Sequence, residues 1–330
     1  MNRLQITSAL ALLALLPARG DSRTESPLAR IGVIGASVSD GVGPGPALSS
    51  LLRAGLEREA IVVDRANTHF GADPLGTTER AVAQLHEGKA TLVVAADVFF
   101  WYGYRFSSQE EREAKLAAGL AALDQLDCPL LVGTVPQLTA RNIPPQNQPT
   151  PEQLARLNAE IAEWASAREN VRLLPLDRIL DAFREGKPIT LAGESVTADP
   201  ATMLQPDGIH LTLKGQTMLG MLVLDAIREL PQVSEGDRSC FVRQLEVLRT
   251  RAVELDRTKA LATPTLRALK HLSRQADGGP VEADKVKDVL SRKLEPEDVE
   301  RALAWLESEH ALEREGTRLT PIKGIEPVRR

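Results

Sequence analysis

Cysteine is nearly missing from this chain: Cys128 and Cys240 are the two it has. That number excludes a disulfide framework and offers no metal-ligand spacing, so no metal or other cofactor is implied. Whether the two pair or stay as buried free thiols is open from sequence. Aromatic residues are also scarce, at 3%. Charge of one sign is not in excess either, since a net charge of -5 gives no global reason to expect nucleic acid or an anionic membrane as partner. Apolar runs are short, and none reaches the roughly 20 residues that cross a bilayer.

The longest of those runs lies near the start. Arg3 is followed by apolar residues from Ala9 to Leu16, then Pro17 and the small-x-small triplet Ala18-Arg19-Gly20. This is the pattern of a secretory signal peptide over residues 1–20, cut near Gly20, with a linker over 21–28. It predicts an exported protein, periplasmic or secreted, with no membrane span in the mature chain.

At 330 residues with 43% hydrophobic content, the chain can bury a large core and a smaller one. Five Val-, Ile- and Leu-rich runs recur at 31–37, 60–66, 90–96, 129–135 and 171–177. Runs this continuous suit strands covered on both faces, as in a parallel sheet. Helical spacing fills the gaps, at about 46–58, 77–88, 108–126, 151–168 and 213–230. Thr150-Pro151 makes a good helix start, because threonine caps and proline is tolerated in the first turn. Alternating strand and helix predicts an α/β fold with a doubly wound sheet over residues 29–232. Ligands of such sheets bind beyond the carboxyl ends of the strands, where Ser37, Asn67, Asp97 and Thr134 emerge.

From residue 233 to 330 the character changes to charged helical segments, with acidic and basic residues close to balance. Two short helices, a longer one and a hairpin around Gly316-Thr317-Arg318 are loosely similar in pattern to a winged-helix module. A DNA-reading third helix should be basic. The one from Glu297 to Glu309 carries Glu297, Asp298, Glu300, Glu307 and Glu309 against Arg301 alone, which argues for packing or contact with a protein partner and against nucleic acid.

Chemistry centres on Gly35-Ala36-Ser37-Val38-Ser39-Asp40-Gly41, where a serine ends the first apolar run. A serine attacks a carbonyl only with a base to take its proton, an acid to orient that base, and donors for the oxyanion. Asp207-Gly208-Ile209-His210 offers the base and acid three residues apart on a loop before a helix. His69, His86, His271 and His310 have no such setting.

On these two stretches, and on their order and distance, the chain resembles the SGNH (GDSL-type) hydrolases over residues 29–230. The resemblance implies a flavodoxin-like three-layer α/β/α sandwich with a five-stranded parallel sheet. It also implies an ester substrate, Ser37 as nucleophile, His210 as general base and acid, and Asp207 as its orienting carboxylate. Ala36 stands where the family has aspartate. For the oxyanion, the family uses the serine N–H and a glycine after the second strand, for which Gly76 fits better than Gly71. Its third donor, an asparagine after the third strand, is replaced here by Asp97. An ionised Asp97 accepts and cannot donate, so it protonates, points elsewhere or has another part.

The same edge holds Phe99, Phe100, Trp101, Tyr102, Tyr104 and Phe106 within eight positions. Phe99, Phe100 and Trp101 are expected to wall the site beside the serine. A second reading of the same residues is a catalytically weak or inactive relative that binds its ligand through the Phe99–Phe106 cluster and a protein through the C-terminal helices.

Overall fold

The computed structural model describes residues 25–138, 143–276, 279–291, 293–308 and 312–321. The expected signal peptide lies outside the described residues, as does the first half of the linker after it, residues 21–24.

The five apolar runs form β1 (Arg30–Gly35), β2 (Ile61–Ala66), β3 (Leu92–Ala95), β4 (Leu130–Gly133) and β5 (Val171–Leu174). They make one parallel sheet in the order β2-β1-β3-β4-β5. β1 sits between β2 and β3, so the exits of all three lie side by side. The two edge strands carry charged residues within them, Asp64 and Arg65 in β2 and Arg172 in β5, whereas the central β3 and β4 carry none.

Alternate residues of β1 feed two cores. Ile31 and Val33 pack with α2 (Leu48–Ala54), α7 (Leu176–Glu185) and α9 (Leu213–Arg228) on one face. Ile34 packs with α3 (Pro74–Glu87), α5 (Gln109–Leu123) and α6 (Pro151–Ser166) on the other. The result is a three-layer α/β/α sandwich. α6 starts with a capping box in which Thr150 Oγ1 accepts the Gln153 N–H and the Gln153 side chain accepts the Thr150 N–H.

Several short elements fill the intervals. They are α1 (Ser37–Asp40), α4 (Phe100–Tyr104), α8 (Pro200–Met203), α10 (Glu235–Arg238) and the antiparallel pair β6 (Pro188–Leu191) and β7 (Glu194–Thr197). α7 was not evident in the sequence pattern, because Pro175 ends β5 and the helix follows at once.

The 31-residue α11 (Leu245–Gln275) joins the sandwich to a second core. Val233, Phe241, Val242, Leu248 and Ala252 pack with the α2, α7 and α9 face. From Ala262 onward the same helix packs instead with α12 (Ala283–Leu290), α13 (Pro296–Ser308) and the hairpin of β9 (Leu312–Glu315) and β10 (Arg318–Pro321). The two-residue β8 (Val281–Glu282) completes a small sheet in the order β8-β10-β9. Two of the acidic side chains of α13 are used internally: Glu300 pairs with Lys287 at 2.7 Å and Arg314 at 2.8 Å, and Asp298 with Arg301 at 3.4 Å. Cys128 and Cys240 are both free thiols, and burial pushes the Cys128 thiol up to about 11.

Candidate active site

Ser37 is the first residue of α1, directly beyond β1, and is half-buried. The turn that carries it closes with Gly41 at φ 74°, a left-handed backbone that glycine adopts without strain. Among the described residues, neither the Ser37 hydroxyl nor its N–H has a hydrogen-bond partner, whereas the N–H groups of Ala36, Val38 and Ser39 are all bonded.

His210 lies on the loop between α8 and α9, and the loop is shaped around Asp207. Asp207 Oδ1 accepts the N–H groups of Ile209 at 2.9 Å and His210 at 3.0 Å. Its Oδ2 lies 2.6 Å from His210 Nδ1. A neutral ring in this position donates from Nδ1 and keeps Nε2 as a base. Partial burial works to raise the Asp207 carboxyl, but the bonds from His210 and the two N–H groups outweigh it and hold its pKa below the ordinary value. The carboxylate is therefore charged throughout the neutral range.

Two side-chain amides dock this loop on the Ser37 turn. Gln205 Nε2 donates to Val42 O at 3.2 Å and to Leu211 O at 2.9 Å. Gln216 Nε2, near the start of α9, donates to Val38 O at 2.7 Å. Within the loop, the Gln205 N–H closes on His210 O at 2.8 Å. Neither glutamine carries a motif signal, because each works through a backbone carbonyl more than 160 positions away.

The β2 exit flanks the same turn. The Asn67 N–H donates to Gly35 O at 2.9 Å, and Asn67 Oδ1 accepts the His69 N–H at 2.8 Å, which leaves the exposed Asn67 with its Nδ2 donor group uncommitted among the described residues. The Thr68 N–H donates to Asp40 Oδ2 at 3.0 Å, tying this segment to α1. Burial raises the Asp40 pKa, and the bonds from Thr68 oppose that shift.

Gly76 does not fit the oxyanion role expected for it. Its N–H donates to Asp73 Oδ1 at 3.1 Å, because Asp73 caps α3 and Gly76 is in the first turn. Of the two candidate glycines, it is Gly71 whose N–H has no partner among the described residues. A Cβ at Gly71 would stand 2.7 Å from the indole carbons of Trp101, so this backbone and that ring are in direct contact.

Asp97 is likewise not an oxyanion or substrate-binding donor. It is 4% exposed and accepts four bonds from the Ser37 turn, and burial raises its pKa against the pull of the Ser39, Ala36 and Val38 donors. Phe99 and Phe100 are core residues, 1% and 7% exposed, and so do not form an open wall. The reason is α4, which coils the aromatic run so that Phe100 stacks on Tyr104 with ring centroids 4.7 Å apart. Tyr102 bonds Thr78 and Tyr104 bonds Pro136 O, each at 2.9 Å. Trp101 alone of the three expected wall residues stays half-buried, with its Nε1 donor lacking a partner among the described residues.

No protein-family model matches the chain, and no curated protein does. Solved structures are similar to it at low identity. The psychrotrophic esterase EstA from Pseudoalteromonas, crystallised with monoethylphosphonate as inhibitor, is 15% identical with a TM-score of 0.40, over 61% of this chain and 97% of that one. TesA is 23% identical with a TM-score of 0.39, over 61% and 99%. A catalytic mutant of the acetylxylan esterase Axe2 from Geobacillus stearothermophilus is 17% identical with a TM-score of 0.40, over 63% and 97%.

Among the described residues, no group of three or more His, Cys, Asp or Glu side chains could hold a metal, and no helix is long and apolar enough to cross a membrane. The chemistry available at this edge is a hydroxyl, a carboxylate-oriented imidazole and two uncommitted backbone N–H groups.

Proposed function

We propose that the protein is an exported serine esterase or acyl hydrolase of SGNH type, acting on a small-molecule ester. Ser37 Oγ attacks the ester carbonyl while His210 Nε2 takes its proton, and Asp207 stabilises the imidazolium that forms. The Ser37 and Gly71 N–H groups donate to the oxyanion. Collapse of the tetrahedral intermediate breaks the bond to the alkoxy oxygen, which leaves with the proton from His210, and Ser37 carries the acyl group. Water then attacks the acyl-enzyme with His210 again as base, and the acid departs as Ser37 regains its proton.

One observation carries this reading: the Asp207–His210 pair is held by Gln205 and Gln216 against the turn that bears Ser37. A binding module has no use for that combination. The second reading, a catalytically weak or inactive relative that binds a ligand, draws on Asp97, which supplies no third donor. Loss of one oxyanion donor typically costs about 100- to 1000-fold in rate, which lowers activity without abolishing it. Residues 233–330 are read as a packing and protein-contact module, with no nucleic-acid partner. The test is turnover of short-chain nitrophenyl esters by the protein from residue 21 onward. Hydrolysis that is lost in Ser37→Ala supports an esterase, and an inert parent favours the second reading.

A further inference from the structure

Ala36 occupies the cap position of α1 and has no side chain that can accept a hydrogen bond. Asp97, from the exit of the neighbouring strand β3, does that work. Its Oδ1 accepts the Ala36 N–H at 2.9 Å and the Ser39 hydroxyl at 2.5 Å. Its Oδ2 accepts the N–H groups of Val38 at 2.9 Å and Ser39 at 3.3 Å. The backbone is built around this carboxylate: a Cβ at Gly35 would lie 2.1 Å from Asp97 Oδ1 and 2.3 Å from Ser39 Oγ. Ser37 is the one residue from Ala36 to Ser39 whose N–H the carboxylate leaves alone.

We infer that Asp97 is the positioning residue of the proposed hydrolase: its buried carboxylate, reaching across from β3, fixes the Ser37 turn and reserves the Ser37 N–H for the oxyanion. The inference rests on the reading of Ser37 as nucleophile. It also accounts for two departures from the family pattern together. The carboxylate missing at position 36 and the asparagine missing at position 97 are one exchange, in which the acid moves to the adjacent strand and the third donor is given up. Oxyanion stabilisation then falls to Ser37 and Gly71.

Asparagine cannot replace Asp97 in this arrangement. With the amide oxygen at the Oδ1 position, the NH2 group faces the Val38 and Ser39 N–H groups. Flipped, it faces the Ala36 N–H. Either way, donor meets donor and at least one buried N–H loses its acceptor.

Asp97→Asn therefore separates this inference from a donor role at position 97. On nitrophenyl acetate, kcat should fall by roughly 100-fold, the size of effect that follows from a misplaced reacting group, while KM stays within about twofold. Circular dichroism should show a folded protein, and hydrogen exchange followed by mass spectrometry should show faster exchange in the peptide spanning Ala36 to Val42. An unchanged or higher kcat, or unchanged exchange in that peptide, overturns the inference. Should Asp97→Asn not fold, Ser39→Ala removes one of the four donors and carries the same test: a several-fold loss of kcat at constant KM supports the inference, and no loss contradicts it. A parent that neither turns over the ester nor takes a fluorophosphonate label overturns the hydrolase reading itself, and the exchange result then still decides whether Asp97 holds the turn.

Discussion

Lys259 Nζ on α11 lies 3.0 Å from Asp64 Oδ2 on β2, with both side chains 22% exposed. Asp64 also accepts the Ser49 hydroxyl at 2.5 Å and the Ala66 N–H at 3.0 Å, just before the chain reaches Asn67. The helix that follows the sandwich thus neutralises a carboxylate beside the candidate site. Lys259→Ala should lower stability by about 1 kcal/mol, at the upper end for a pair that solvent still reaches. Lys259→Arg should retain most of it. Urea denaturation midpoints measure both, and equal midpoints for Lys259→Ala and the parent would contradict this role.

Replacing the orienting carboxylate should act on rate and not on binding. Asp207→Asn leaves an acceptor for the Ile209 and His210 N–H groups but no charge beside the ring. Its kcat should drop by roughly 1,000- to 10,000-fold with little change in KM, as for other hydroxyl–imidazole–carboxylate sites. His210→Ala should lose at least as much. Steady-state ester hydrolysis checks both.

The two glycines after β2 should behave differently. Gly71→Ala drives a methyl group into the Trp101 ring and shifts the proposed donor, so kcat should fall by about 10- to 100-fold, below or at the lower limit for removing an oxyanion donor outright. Gly76→Ala instead meets Asp73 Oδ2 at 2.2 Å and disturbs a helix cap, at a cost of about 1 kcal/mol in stability with kcat nearly unchanged. If Gly76→Ala lost rate while Gly71→Ala did not, the assignment of donors would be reversed.

Two carboxyls should give stability opposite pH slopes. The Asp97 pKa is raised in the fold, so its contribution is full below pH 3.8 and is lost as pH rises through the folded value. The Asp207 pKa is lowered, so its contribution is present above pH 3.8 and is lost as pH falls through the folded value. Denaturation of Asp97→Asn should lack the decline on the rising side, and that of Asp207→Asn the decline on the acid side. A single common profile for both variants and the parent would contradict the two environments.

The strands were legible because each contains a short run or cluster of branched aliphatic residues, and a sheet covered on both faces demands that pattern. The stretches around Ser37 and His210 were legible for a related reason, since both stand at breaks beside regular elements. What brings them together was not. Gln205 and Gln216 act on the carbonyls of Val42 and Val38, and Asp97 acts on amides 58 to 61 positions earlier. The Asp97 bonds exist only once β3 has paired with β1, and the glutamine bonds only once α9 has packed against the Ser37 turn, arrangements that no local spacing encodes. The capping role of Asp73 before Pro74 was a local signal, and it explains why Gly76 belongs to a helix start and not to the site. The aromatic run misled for the opposite reason. Phe99 and Phe100 stand where a strand ends and a helical turn begins, and that turn folds them inward.

The central claim is that Ser37 is a nucleophile activated by His210, and covalent labelling tests it most directly. The protein from residue 21 onward is incubated with a fluorophosphonate probe, and the modified residue is mapped by mass spectrometry. The account predicts one label per chain, on Ser37, absent in Ser37→Ala and strongly slowed in His210→Ala. No label on the parent, or a label on another residue that persists in Ser37→Ala, would contradict it.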